Sequence, residues 1–349
     1  MNNKFVVSAA PHMHEPISVK SVMWQVVIAL LPAQAVACVF FGMNSLFLTL
    51  YAVIAAVCTE ALIQKLRKKE ITVKDGSAVV TGMLVAFNIH AASPWWLPAV
   101  GAVFAIGIGK QVFGGLGHNP FNPALLARAF MVASWPSLTT AGWVPALKKS
   151  INGISQNIDN LPEIVTSATP LAVAKALRNP DVIAPELREM VAGKLFAWDT
   201  VSNLFWGNTG GVTGEVSAAA LLLGAAFLSL RHIIEWRIPV SYIGTAALLA
   251  WLFGGVNGFM SASLAVPVFH IFAGGLILGA FFMATDMVTS PVTKRGRIYF
   301  GIGCGIITMV IRLVGGYPEG VSYSILLMNM AVPLIDRFTV PKFFGERKK

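Results

Sequence analysis

Thr169 is followed by Pro170 and then by Leu171-Ala172-Val173-Ala174-Lys175-Ala176-Leu177-Arg178, a stretch that reads as a helix start. Threonine is a good N-cap, and proline suits the first helical position, where an N–H would lack a partner. The free amides of Leu171 and Ala172 would then point back past the Thr169 hydroxyl, and the positive end of the helix dipole would reinforce them. A phosphate esterified to Thr169 would sit in a stabilising field, and the small Ala168 leaves room for an enzyme to deliver it. The competing interpretation is an ordinary capped helix in a loop.

A second set of candidates is polar or charged yet lies at or within apolar segments, beside Pro and Gly breaks: Asn119, Asn122, Arg128, Asp286, Thr289 and Arg312. An ionisable group inside a membrane is a functional-site hypothesis by default. The plainer alternatives are that Arg312 snorkels to an interface and that Asp286 pairs with a nearby basic loop residue. Glu60 is expected to face its own basic loop, and His12 and His14 to be solvated. Gly107-Ile108-Gly109-Lys110 lacks the spacing of a phosphate loop and, like Gly301-Ile302-Gly303-Cys304-Gly305, suits close helix packing. Cys38, Cys58 and Cys304 lie in apolar runs with no C-x-x-C pattern, so no iron–sulfur cluster is expected.

The elements that must position these groups follow from composition. Of 349 residues, 56% are hydrophobic and only 12% charged, and the mean hydropathy is +0.70. A soluble domain is nearer a quarter charged, so the chain is expected to be an all-α integral membrane protein in a lipid bilayer. The net charge of +10 sits in short loops and the C-terminal tail, which argues against a nucleic-acid partner. Met1 to Glu15 is polar, and no signal peptide is expected. Ten transmembrane helices are predicted near 21–42, 45–64, 76–90, 97–112, 124–138, 216–230, 238–256, 268–286, 298–314 and 321–336. Between the fifth and sixth, residues 139–215 form a long polar loop that holds Thr169.

Basic residues at 65–74, 110, 231–237 and 294–297 and in the tail alternate along the chain with turns near 43, 91, 257 and 316 that carry none. The positive-inside rule then puts both termini in the cytoplasm and the 139–215 loop on the outer face. Gly82 to Pro94 (GMLVAFNIHAASP) echoes Gly279 to Pro291 (GAFFMATDMVTSP), each followed by an apolar helix and a Gly-Gly turn. Five helices per half is odd, so the halves would be inverted repeats, at 1–138 and 216–349. Such repeats place sites near the midplane, at Gly/Pro-interrupted helices.

Glu163-Ile164-Val165-Thr166-Ser167-Ala168-Thr169 resembles a flavin-attachment motif, in which FMN is joined by a phosphodiester to the last threonine. Glu163 stands where Asp is usual, and Ser167 where Gly is frequent. SPWW, GGLGHNPFNPA, TDMVTSP and GGYPEGVSYSILLMNMAVPLIDR occur alongside it. Together they are similar to the D subunit of the Rnf electron-transport complex, whose paralogue is the B subunit of the sodium-translocating NADH:quinone reductase. The paralogue usually carries a longer N-terminal extension, which favours the Rnf branch. The resemblance implies covalent FMN on Thr169, with Thr166, Ser167, Ala168 and Leu171 around it. It also implies a non-covalent flavin, riboflavin, in the bundle, for which Asn119, Asn122, Asp286 and Thr289 are the candidates. Electron transfer between ferredoxin and NAD coupled to sodium or proton movement in the bacterial inner membrane is implied too. Implied partners are a flavin transferase and the other subunits, one of them a second covalent-FMN protein. No strand-Gly-rich-helix unit for NAD is present, so that chemistry would belong to partners. The rival class is a non-redox inverted-repeat channel or transporter.

Overall fold

The computed structural model describes residues 18–140, 169–178, 185–255, 263–317 and 319–340. Among these the regular structure is helical, with no strand. Two long helices open the chain, α1 (Val19–Phe41) and α2 (Met43–Leu66), separated by Gly42 alone. Ser18 caps α1 by accepting from the Ser21 N–H at 3.2 Å. Between α1 and α2, buried Gln34 accepts from Thr49 Oγ1 at 2.8 Å and donates to Ser45 Oγ at 3.2 Å. Polar bonds of this kind hold membrane helices together where lipid offers no hydrophobic drive.

Next come α3 (Ser77–Phe87), α4 (Trp96–Phe104, continuing as a π-helix over Ala105–Gln111), α5 (Pro123–Ser134) and the short α6 (Pro136–Thr140). The connecting region carries α7 (Pro170–Ala176), α8 (Pro185–Leu195) and α9 (Trp198–Trp206). The second bundle comprises α10 (Ala218–Leu230), α11 (Arg237–Phe253), α12 (Ala265–Phe272), α13 (Leu276–Leu278, continuing as a π-helix to Met283), α14 (Lys294–Leu313) and α15 (Val321–Thr339).

Every apolar segment expected from the sequence contains helix, with two differences. The expected fifth helix is interrupted at Trp135, before Pro136, which disfavours helical geometry in its predecessor. The eighth breaks at Ala273-Gly274-Gly275, and its two pieces are bent by 66°. Among the described residues, α1, α2 and α14 can each cross a membrane alone by length and composition, and the bent α12–α13 pair is a broken span or a re-entrant loop. At 1.5 Å per residue, α3 and α5 are only ~16–18 Å long, about half a hydrocarbon core.

Packing within the two bundles runs in parallel. α2 packs on α3 and α4, and α4 on α5; α11 packs on α12 and α14, and α14 on α15. The bundles join through α1 on α10 and α5 on α15. Close approach at α11–α14 requires glycine, because a methyl on Gly301 would lie 2.0 Å from Ser241 Oγ and one on Gly305 2.7 Å from Thr245 Cβ. A buried ring of three hydroxyls closes this bundle: Tyr242 to Thr308 at 2.6 Å, Tyr242 to Ser324 at 3.0 Å and Thr308 to Ser324 at 2.7 Å.

Candidate functional site

Because α3 and α5 are short, a cavity opens at each of their ends. The one beside the connecting region, about 1020 Å³ of space open to solvent, is lined by Asn88, Arg128, Thr169, Leu171, Glu215, Glu319 and Tyr323, among others. Thr169 sits at its wall, half-buried, and caps α7 by accepting from the Ala172 N–H at 3.2 Å. α7 is held in place by its own cations. Lys175 donates to the Gly315 carbonyl at 2.5 Å, just past the end of α14, and Arg178 donates to the carbonyls of Phe253 and Gly255 at the end of α11. Leu171 is buried against Phe269 and Ala273. A side chain carrying a group at Thr169 is therefore anchored to the ends of α11 and α14.

The floor of this cavity is charged. Arg128 forms an ion pair with Glu319 and donates to Asn88 Oδ1 at 2.7 Å. Glu319 Oε1 also accepts the Gly275 N–H at 2.6 Å, at the N-cap of α13. Arg312 donates to the carbonyls of His270 at 2.5 Å and Ala273 at 2.9 Å, the orphan acceptors where α12 breaks. Gly274, with φ +73°, makes room for all of this: a methyl there would meet Leu171 Cδ1 at 2.5 Å, Glu319 Oε1 at 2.8 Å and Arg312 Nη2 at 3.1 Å. Glu215 completes the floor, its Oε1 3.9 Å from Arg128 Nη1. Burial pushes the Glu215 carboxyl well above the usual range, and the neighbouring Glu319 adds to this against Arg128 and Arg312. Burial acts on Glu319 in the same sense, but Arg128, the Glu215 carboxyl and the Gly275 N–H outweigh it and hold Glu319 low.

The second cavity, at the other ends of α3 and α5, has about 820 Å³ of space open to solvent. Its walls are mostly apolar, including Val22, Leu84 and Phe282, with Ser77, Lys110, Asn119, Asn122 and Asp286 as the polar groups that concern the site. Asn122 caps α5, accepting from the Ala124 and Leu125 N–H groups at 3.0 and 3.3 Å, and its Nδ2 reaches across to the Met283 carbonyl at 3.2 Å. Asp286 accepts from Val288 N at 3.2 Å and Thr289 Oγ1 at 3.3 Å. Lys110 is buried in the π-helix of α4, 2.7 Å from Glu60 and 2.7 Å from Ser77 Oγ. Both π-helices thus abut this cavity, and π-segments are frequent at functional sites.

The family model described as NQR2, RnfD, RnfE matches residues 6–345. The chain belongs to that family. It is 49% identical over 345 residues to the D subunit of the Na(+)-translocating ferredoxin:NAD(+) oxidoreductase complex of Acetobacterium woodii, covering 98% of this chain and 96% of that protein. It is 43% identical over 346 residues to the D subunit of the proton-translocating ferredoxin:NAD(+) oxidoreductase complex of Clostridium ljungdahlii, covering 99% and 98%. The D subunit of an ion-translocating oxidoreductase complex from Aliivibrio salmonicida is 34% identical over 369 residues, with 99% of each chain covered.

For this family member, the structure divides the sequence candidates between the two cavities. Thr169 and Leu171 line the first; Asn119, Asn122 and Asp286 line the second; Thr289 is buried behind Asp286. Thr166, Ser167 and Ala168, with Glu163, lie outside the described residues. Several plainer expectations are corrected. Arg312 does not snorkel, since it is buried and binds two carbonyls. Glu60 faces Lys110 across a helix pair, not its own loop, so Lys110 is a buried ion-pair partner in place of a loop charge. Asp286 has no cationic partner among the ion pairs of the described residues; its acceptors are filled locally. Glu215 and Glu319 were missed as site residues. Their only sequence signal is a lone carboxyl beside a glycine turn, at Gly214-Glu215 and Glu319-Gly320.

Proposed function

We propose that the chain is the membrane-embedded D subunit of an ion-translocating ferredoxin:NAD+ oxidoreductase complex, and that Thr169 carries FMN through a phosphodiester. The observation that carries this reading is the placement of Thr169. The last threonine of the attachment motif stands on the wall of a cavity with Gly210, Gly211 and Gly274 along it. The residues fit the group. Arg128 stands in the wall as a cation for the phosphate, and Glu215 Oε1 is buried without a hydrogen-bond partner. The dipole of seven-residue α7 is too short to matter much, so the cavity and its Arg128 are the better support for an anionic occupant.

Bound FMN would supply one- and two-electron chemistry, while the protein supplies attachment, orientation and electrostatic tuning. Arg128, held by Glu319 and Asn88, presents positive charge to the cavity. Leu171 and the cations of α7 fix the attachment point. The second cavity suits a non-covalent flavin, riboflavin, held by Asn119, Asn122 and Asp286 among apolar walls, with Thr289 orienting Asp286. On α3 the linings change over from Leu84 to Asn88 and on α5 from Ala124 to Arg128, four residues in each, so the partition is about 6 Å, one helical turn, along each helix. The parallel packing of the two bundles supports the inverted-repeat reading, and the basic turns support an inner-membrane topology with Thr169 outside. Ferredoxin and NAD chemistry then belong to the other subunits. A flavin transferase and a second covalent-FMN subunit complete the partners. In the test, denatured Thr169→Ala loses in-gel flavin fluorescence while Thr166→Ala keeps some of it; retained fluorescence in Thr169→Ala overturns the attachment site.

A further inference from the structure

The floor of the Thr169 cavity holds two carboxyls and two guanidiniums, but the hydrogen-bond donors are unevenly shared. Glu319 has the Arg128 guanidinium on one oxygen and the Gly275 N–H, at 2.6 Å, on the other. Glu215, whose side chain is only 9% exposed, has Oε1 3.9 Å from Arg128 and no donor to it. Of the remaining donors, Arg128 is committed to Asn88 and Arg312 Nη1 and Nη2 to the carbonyls of His270 and Ala273, while Arg312 Nε is buried and bonds neither carboxyl. The groups facing Glu215 are Arg128 from α5, Arg312 from α14, Glu319 and Tyr323 at the start of α15, and the backbone at Gly211 and Gly275.

A buried carboxylate without donors is costly, and the group takes up a proton instead. Two adjacent carboxyls resist double ionisation for the same electrostatic reason. Only one is stabilised as the anion here, and it is Glu319. We propose that Glu215 holds an exchangeable proton beside ionised Glu319, and that this proton sets the charge presented to a flavin on Thr169. The first half stands on the side chains alone; the second rests on the flavin reading above. With the proton present, Arg128, Arg312 and Glu319 leave one net positive charge; without it the cluster is neutral. At a pH above its titration, where Glu215 is ionised, an electron arriving from a one-electron carrier of the complex raises the proton affinity of Glu215, which takes one proton from bulk water. It returns that proton to the same water when the electron leaves, so charge balances at each step. The directions of the two carboxyl pKa values agree with this division.

A metal cation is the poorer occupant, because two guanidiniums already compensate Glu319. Among the described residues there is also no group of three or more His, Cys, Asp or Glu side chains placed to hold a metal.

The test uses the full-length protein in its complex and begins with infrared titration of carboxyl groups. Wild type should show a protonated-carboxyl band near neutral pH that Glu215→Gln removes. Glu215→Asp should keep a titrating band, and the band should persist in Thr169→Ala, which carries no flavin in this account. Replacing sodium by potassium should leave it unmoved. The midpoint potential of the flavin is then followed against pH. One proton per electron is a tenfold change per pH unit, or 59 mV, and Glu215→Gln should flatten the slope over the range in which the band titrates. A band untouched by Glu215→Gln, or one displaced by sodium, overturns the proton assignment. A band lost with an unchanged potential slope overturns the coupling to the flavin, whereas failure of the attachment itself shows separately, as fluorescence retained in Thr169→Ala.

Discussion

Replacing Arg128 by methionine removes the cation bonded to Glu319 while leaving volume for the α5 helix to pack. Arg128 and Glu319 have side chains 14% and 18% exposed, so the pair is largely shielded from water. Breaking such a pair by removing one partner costs about 3–5 kcal/mol, because the other charge stays buried. Arg312 remains near Glu319, and the Gly275 N–H bond at 2.6 Å is kept, so the loss should fall at the low end, about 3 kcal/mol. Glu319→Gln is the milder change. Its amide oxygen still accepts from Gly275, and Arg128 can turn to Glu215, 3.9 Å away, which then ionises. A loss of about 1 kcal/mol is expected, the ordinary size for one net hydrogen bond. The double variant leaves neither charge stranded, so it should be less destabilised than the sum of the single variants by about 1–3 kcal/mol. Thermal unfolding of all four proteins in one detergent reads this out, and the infrared band of Glu215 should vanish in Glu319→Gln. Strict additivity, or a larger loss from Glu319→Gln than from Arg128→Met, would refute the reasoning.

Three further outcomes follow from the same geometry. Gly274→Ala forces a methyl to within 2.5 Å of Leu171 Cδ1 at a φ of +73°. It should cost at least about 1–2 kcal/mol from the left-handed backbone alone and lower flavin incorporation at Thr169 by displacing α7, read by in-gel fluorescence per mole of chain. Asn122→Ala removes a helix cap and one of two donors to the Met283 carbonyl, which keeps the Asp286 N–H, for a loss of about 1–3 kcal/mol in thermal unfolding and reduced retention of non-covalent flavin. Asp286→Ala should keep the Thr169 flavin yet change the ion dependence of electron transfer in reconstituted vesicles; normal turnover with unaltered ion dependence would reduce Asp286 to a local structural acceptor. For orientation, Asn157→Cys in the 139–215 stretch should react with an impermeant thiol reagent in intact cells, and labelling only after lysis would reverse the topology.

The helices were legible because each apolar run must satisfy its backbone internally, and Pro, Gly and basic clusters mark where runs end. The break at Ala273-Gly274-Gly275 was hidden inside a continuous apolar stretch, where hydropathy alone cannot show a bend. Asn122 and Asp286 were found as polar groups beside Pro or Gly and do share a cavity, whose other walls are mostly apolar. Thr169 stood out through its Pro170 neighbour. The charge cluster beneath it did not, since Arg128, Glu215, Arg312 and Glu319 come from four separate stretches and only folding brings them together. Lys110 misled for a related reason: a lysine closing an apolar helix looks like an interfacial charge until Glu60 is placed 2.7 Å from it.

The most direct measurement is tandem mass spectrometry of the tryptic peptide Ser150–Lys175, which contains Thr166, Ser167 and Thr169. The account predicts that this peptide carries the mass of FMN less one water, with fragment ions placing it on Thr169. An unmodified peptide from fully assembled complex, or the same mass placed on Thr166 or Ser167, would contradict it.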